Sequence, residues 1–291
     1  MQEEQITSGF SLPDQPFLIQ NSSETEPPQV PYQPAPNDPP WGTGMAFLTW
    51  GLSVFFLFFF SSVPIIFYAF SQHIDREGLK DFLESPTSIL IQISGTIPAH
   101  LLTLVFCWFV VTGRGKFSLK QTLGLKWGGF HLGFCILSVI FFYAIFGTLL
   151  YYFGDQDTEL TRILLSSRAV VWVVAFLAVV TAPVVEELVH RGLLYSALQR
   201  SVGVPYAIAI TSFIFAAIHF PQYYKSIVAL LMISMLSLGL TLIRWKSKNL
   251  LPCIVTHLIF NGLQAAGLLL EPYFPKDPAN EPVTAFIRSF F

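Results

Sequence analysis

Residues 169–199 read AVVWVVAFLAVVTAPVVEELVHRGLLYSALQ. From Ala169 to Val185 the stretch carries no charge, and it then runs directly into Glu186 and Glu187. A helix needs about 20 mostly apolar residues to cross roughly 30 Å of hydrocarbon, so this segment has the length and character of a membrane span that ends on two carboxylates. The rest of the chain agrees: 53% of its residues are hydrophobic and only 12% are charged, and mean hydropathy is +0.58. That leaves too little polar surface to cover a water-soluble protein. Aromatic residues at 15%, with 29 Phe, suit lipid-facing helices and interfacial belts.

Working outward, six further apolar stretches meet or approach spanning length, near residues 45–70, 88–112, 132–153, 204–220, 225–244 and 250–271. The expected fold class is all-α, a polytopic membrane bundle of seven transmembrane helices, or eight if another forms near the C-terminus. Pro183 is expected to kink the fourth span near its charges. Residues 113–131 carry Arg114, Lys116, Lys120 and Lys126 around Leu119, Leu123 and Leu125, the pattern of a small interfacial helix. Residues 1–44 hold nine prolines, six acidic residues and no Lys or Arg, and read as a disordered, Pro-rich acidic tail. The tail lacks the basic start and apolar stretch of a secretory signal, so the first span is expected to stay as an anchor. The organisation expected is therefore tail 1–44, N-terminal transmembrane helices 45–168, the charge-bearing helices 169–271, and a C-terminal tail 272–291.

Net charge is -2, and neither the acidic tail nor the mildly basic remainder resembles a nucleic-acid-binding surface. Cys107, Cys135 and Cys253 each sit inside an apolar run, at spacings that suggest packing residues rather than a disulfide framework or a metal knuckle. With seven crossings and the intramembrane Arg191 left out, one side of the membrane collects eight basic residues and the other seven, so the positive-inside rule barely separates the two orientations. Brief loops and the lack of a retention signal tilt the expected location toward a bacterial plasma membrane.

An ionisable residue at membrane depth costs at least ~2.5 to 3.5 kcal/mol, so one that persists has a partner or a task. Glu187 and Arg191 are four apart on one helical face and can pair within their own helix. Glu186 points about 100° away around the helix, free to face a cavity. There it loses hydration and becomes a stronger proton acceptor near neutral pH, which makes it the candidate general base. The fifth span ends Phe213-Ile-Phe215-Ala-Ala-Ile-His219-Phe220, and the last contains Pro252-Cys-Ile-Val-Thr-His257-Leu-Ile-Phe-Asn261, which puts His257 and Asn261 on one face. Taken singly, each of these histidines reads as an interhelical hydrogen-bond donor. Taken together, a base, two imidazoles and an amide at comparable depth are the parts that amide hydrolysis by activated water needs.

The order E-E-x-x-x-R, F-x-x-x-H and H-x-x-x-N, with Arg191-Gly192-Leu193 after the first motif and Asn249-Leu250-Leu251-Pro252 before the third, resembles the CPBP family across roughly residues 165–270. That family includes the type II CAAX prenyl proteases and the Abi-type bacteriocin-processing and immunity proteins. The resemblance implies an intramembrane, metal-independent endopeptidase with no cofactor, in which Glu186 and His219 activate water and His257 and Asn261 stabilise the oxyanion. Glu187 and Arg191 would support them. It also implies membrane-associated peptide or protein substrates, with a lipidated cysteine in the prenyl protease branch. His190 departs from the family pattern, which commonly has an apolar residue there, and lies four residues from Glu186, so it is a candidate modulator of the base. Three other readings compete. Glu186, His219 and His257 could instead hold zinc, with water as fourth ligand, although the His-Glu-x-x-His pattern is absent. A non-catalytic scaffold or immunity protein is another reading. A proton-coupled transporter is disfavoured by the lack of an inverted counterpart to the charged half.

Overall fold

Seven apolar runs fold into membrane-length helices in the computed structural model, which describes residues 32–154, 158–270 and 273. They are α1 (Thr43–Ser71), α3 (Pro86–Val111), α5 (Leu132–Phe153), α7 (Arg168–Val202), α8 (Val204–Tyr223), α9 (Ile227–Ser247) and α10 (Leu251–Leu270). Three short helices lie between them: α2 (Leu79–Glu84), α4 (Leu119–Leu123) and α6 (Glu159–Ser166). Among the described residues there is no β-strand, only an isolated bridge between Ala35 and Asp38. Helices are what a bilayer demands, because lipid offers no partner to an unpaired backbone amide. Phe58, Phe67, Phe70 and Phe213 stand exposed on the outer faces, as lipid-facing side chains do. The stretch in which an eighth helix was expected falls outside the described residues.

The buried centre is built around α7. Val189, Leu193, Leu194 and Tyr195 pack with Cys107 and Val111 of α3 and with Trp41. A second cluster joins α5, α9 and α10 through Val139, Phe142, Leu240 and Phe260. All three cysteines are buried and unbridged, as their apolar settings suggested. At Gly95 of α3 a Cβ would lie 2.1 Å from the Phe60 carbonyl oxygen, so glycine there lets the backbones of α1 and α3 touch. That contact sets the depth of the following turn of α3.

α7 is helical throughout but not uniformly α. Leu177–Thr181 and Leu188–Leu194 are wider π segments that flank the α turn Ala182–Glu187. Pro183 accounts for the first. In a regular α-helix its ring would collide with the carbonyl four residues back, and widening the turn moves that carbonyl away. The Ala182 N–H accordingly donates to Leu177 O, five residues back. Pro183 thus produces a π bulge, a feature that recurs at functional sites.

Residues 33–42 correct the expectation of a tail disordered as far as residue 44, whose residues 1–31 fall outside the described part. Trp41 is 5% exposed, and its indole N–H donates to Leu193 O at 3.1 Å. Arg244, buried in α9, donates to Pro36 O at 2.6 Å and to Asn37 Oδ1 at 3.1 Å. Arg200 of α7 donates to Pro39 O and Trp41 O and pairs with Asp38. A Pro-rich segment is already extended and its carbonyls are unclaimed, which makes it a low-entropy acceptor for guanidinium groups that a bilayer would otherwise leave unpaired. The basic stretch 113–131 does contain a helix, α4, capped by Ser118 and stopped by Gly124 at φ 66°. Leu123 is buried, and Leu119 and Leu125 pack on the core, so α4 is held by protein contacts.

Candidate active site

A cavity of about 410 Å³ lies inside the bundle, and Glu186, His190, His219, His257 and Asn261 all line it. α7, α8 and α10, more than 70 residues apart at their extremes, thus bring the candidate residues to one place. Glu187 and Arg191 stand behind that wall, each with no exposed side-chain surface.

Each of the three guanidinium nitrogens of Arg191 has a partner. One terminal nitrogen donates to Glu187 Oε1 at 2.8 Å, the other to Ser237 O at 2.9 Å and Ser237 Oγ at 2.8 Å, and Nε donates to Thr241 Oγ1 at 3.3 Å. Its guanidinium also lies 4.4 Å from the centre of the Phe215 ring, a cation–π contact. The intrahelical pair expected from spacing is therefore present, but it does not stand alone. The same Glu187 Oε1 takes a second hydrogen bond, from His257 Nδ1 at 2.9 Å. A carboxylate held by Arg191 is an acceptor, so the proton resides on Nδ1 and the ring turns Nε2 toward Glu186, whose Oε2 is 3.8 Å away.

Glu186 differs from its neighbour in every respect that matters to chemistry. Its side chain is 23% exposed, it faces the cavity, and it has no arginine or lysine partner among the described residues. One carboxylate is thus neutralised and buried, while the other is left to the cavity. His219 donates Nδ1–H to Phe215 O at 2.8 Å. A carbonyl only accepts, so in the neutral ring Nε2 is the acceptor. His190 makes the equivalent bond to the main-chain oxygen of Glu186, at 2.9 Å. Its imidazole is therefore engaged with the backbone of Glu186 rather than with the carboxylate, and its Nε2 is buried without a hydrogen-bond partner among the described residues.

Asn261 donates Nδ2–H to Ala178 O at 3.0 Å. Within the π segment the main-chain donor five residues on from Ala178 is Pro183, which has no N–H. The bulge releases a carbonyl, and Asn261 fills the vacancy with one of its two amide hydrogens.

Sequence reasoning had Phe215 only as the first residue of the F-x-x-x-H motif and gave it no role. It is 1% exposed and contacts the rings of His190, His219 and His257 at centroid separations of 5.1, 4.7 and 6.1 Å. With Arg191 on its face, it is the shared floor of the cluster. His100 was also missed: it enters from α3, lines the cavity, and shares a 2.8 Å hydrogen bond between Nδ1 and Thr181 Oγ1. The criterion applied to Glu186, an ionisable group inside an apolar run, would have found it. Among the described residues no group of three or more His, Cys, Asp or Glu side chains is arranged to hold a metal ion.

At the rim of the cavity, outside the spans, Glu159 of α6 pairs with Lys225 in the turn between α8 and α9 and with Arg162. The hydrogen bond from Lys225, and then that from Arg162, holds the Glu159 carboxyl below the usual carboxylate range. The same bond raises Lys225 above its usual range. Thr158, Leu160 and Thr161 of this segment and Tyr223 and Ser226 opposite all line the cavity.

Comparison with protein families finds that residues 168–263 match the type II CAAX prenyl endopeptidase Rce1-like family. The match covers α7, α8, α9 and most of α10, and includes all three motifs. No curated protein and no solved structure matches the chain.

Proposed function

Taking the chain as a multi-pass membrane peptidase whose residues 168–263 carry a type II CAAX prenyl endopeptidase domain, we propose that it cleaves its substrate by a metal-independent, glutamate-dependent mechanism centred on Glu186. The observation that carries this reading is the unequal fate of two adjacent carboxylates. Glu187 is consumed by Arg191 and His257, while Glu186 faces a cavity shared with His219, His257 and Asn261.

Glu186 takes a proton from a water in the cavity while His219 Nε2 accepts the other hydrogen of that water and orients it. The oxygen attacks the scissile carbonyl carbon, whose π electrons move onto its oxygen. The resulting oxyanion receives Nε2–H from His257 and the second amide hydrogen of Asn261. Glu187 accepts from Nδ1–H of His257 and so holds the ring; for Nε2 to donate to the oxyanion the ring takes up a second proton from solvent before the attack and keeps it through the cycle. The C–N bond then breaks and Glu186 returns its proton to the leaving amine, so protons balance over the cycle. Arg191 is the counter-charge of Glu187, and His190 modulates Glu186 through its main-chain carbonyl.

The substrate on this reading is a membrane-associated peptide or protein carrying a prenylated cysteine, whose isoprenoid lies on the apolar wall formed by Leu57, Ile93, Phe146, Leu150, Val228 and Met232. The membrane is a bacterial plasma membrane, on the same grounds of brief loops. The test is cleavage of farnesylated and unmodified peptides by purified protein in detergent, with and without chelator. Wild type should cleave the farnesylated set. Glu186→Gln should not, and Asn261→Ala should lose ~2.7 to 4 kcal/mol of transition-state stabilisation, the usual scale for one oxyanion donor. Activity abolished by chelator would replace the mechanism with a metal-dependent one, and no cleavage of any peptide would favour a scaffold or immunity role.

A further inference from the structure

The cavity has a polar feature that the three motifs do not explain, and it comes from outside the matched residues. Six of its lining residues belong to α1 and α3: Ser53, Leu57, Ile93, Thr96, His100 and Thr103. His100 is the one ionisable group among them, 5% exposed and carried on a helix whose depth is set by the Gly95–Phe60 contact. A histidine inside an apolar span needs a reason. Its bond to Thr181 supplies only half of one, because that bond occupies Nδ1 alone.

The Thr181 hydroxyl has an acceptor of its own in Leu177 O, at 3.4 Å. With that proton committed, His100 Nδ1–H donates to Thr181 Oγ1, and the lone pair is left on Nε2. Nε2 has no hydrogen-bond partner among the described residues, yet it is not among the side-chain atoms sealed from solvent. Together with the position of His100 in the wall, this leaves Nε2 as a fixed acceptor open to the cavity. Thr181 lies at the end of the π segment, one turn before Glu186, so the tether sets the ring in register with the proposed base.

A peptide drawn into a cavity within the bilayer sheds water from its amide groups, and each N–H so stripped must find an acceptor or bear the full penalty of desolvation. We propose that His100 is a specificity-determining residue of this site: its Nε2 accepts a main-chain N–H of the bound peptide, while Thr181 fixes the ring. The inference rests on the peptidase reading for the identity of the ligand. It assigns to the N-terminal helices a share in substrate recognition.

Two substitutions divide the ring. His100→Asn keeps a donor where Nδ1–H stands and so preserves the bond to Thr181, but loses the Nε2 acceptor. His100→Gln reaches the Nε2 position with its amide oxygen. Binding of a fluorescein-labelled farnesylated peptide is measured by anisotropy in nanodiscs on the Glu186→Gln background, where cleavage is blocked. Kd should rise about tenfold for His100→Asn and return to within about threefold for His100→Gln, with unchanged melting temperatures. In protein with Glu186 intact, His100→Asn should raise KM about tenfold and leave kcat within about twofold. An unaltered Kd in His100→Asn overturns the proposal, as does a rise in Kd accompanied by a fall in melting temperature that His100→Gln fails to restore. Wild type that binds the peptide but does not cleave it removes the peptidase reading and leaves the His100 comparison decisive. A chain that binds no peptide overturns both.

Discussion

Glu186 and Glu187 are adjacent, chemically identical, and separated in task by about 100° of helix rotation. Glu187 accepts from Arg191 and His257 through one oxygen and has no exposed side-chain surface. Removing it leaves a buried guanidinium without its counter-charge and frees the His257 ring. Breaking one partner of a buried pair costs about 3 to 5 kcal/mol. Glu187→Ala should therefore lower protein abundance and detergent-resistant folded fraction as well as activity, whereas Glu186→Gln should leave both near wild type. Size-exclusion profiles of the two variants, expressed in parallel, test this. A monodisperse, abundant Glu187→Ala protein would contradict the ion-pair assignment. At the same scale His190 shows the limit of spacing arguments: four residues from Glu186, it bonds the main-chain oxygen and leaves the carboxylate alone.

At the scale of the element, the first π segment of α7 owes its shape to one residue. Pro183 widens the preceding turn, releases Ala178 O, and so gives Asn261 an acceptor. Pro183→Ala restores a main-chain donor and removes the ring clash, and the turn should close to regular α geometry. Asn261 then loses its anchor, so kcat should fall at least about tenfold while the melting temperature holds or rises. Steady-state kinetics alongside thermal melts read both quantities, and a loss of stability together with activity would count against this account of the bulge. The rim helix α6 is held by a different force. Glu159 has a lowered pKa, so its tie to Lys225 contributes fully above the ordinary glutamate value of about 4.3 and is lost as pH falls through the folded value. Lys225 has a raised pKa, so its share is present below about 10.4 and is lost at higher pH, as pH rises through its folded value. Both groups are solvent-exposed, so salt weakens the tie further. The hydrogen-exchange protection factor of residues 159–166, the observed rate divided into the intrinsic rate at the same pH, should be highest between those limits and lower at pH 3 or in high salt. A pH-independent protection factor would show that α6 is held by its apolar face alone.

For the whole molecule, seven crossings put successive loops on opposite sides of the membrane. Glu84, between α1 and α3, and Lys126, between α3 and α5, should therefore react from opposite faces. Single replacements Glu84→Cys and Lys126→Cys, treated with a membrane-impermeant maleimide before and after permeabilisation, decide this, since the native cysteines are buried. Labelling of both from one side would break the seven-helix topology. The bundle also explains why α3 and residues 33–42 matter outside the matched domain. One supplies His100 to the cavity, and the other closes over Arg200 and Arg244.

The sequence by itself determined the solvent, the class and the number of long helices, because hydrophobicity over about 20 residues is a local property and a bilayer permits few answers to it. It also determined the Glu187–Arg191 pair, since groups four apart on a helix meet wherever that helix packs. Only the tertiary structure decided what depends on two helices at once. His257 completes Glu187 across the gap between α10 and α7, Asn261 answers a carbonyl that Pro183 cannot, and Phe215 underlies three histidines, two of them from other helices. His100 joins Thr181 from α3, and residues 33–42 of the Pro-rich stretch that composition marked as disordered pack on two arginines. In each case a polar group at low dielectric seeks whichever partner the fold brings near, and proximity between distant segments is not written in either segment alone.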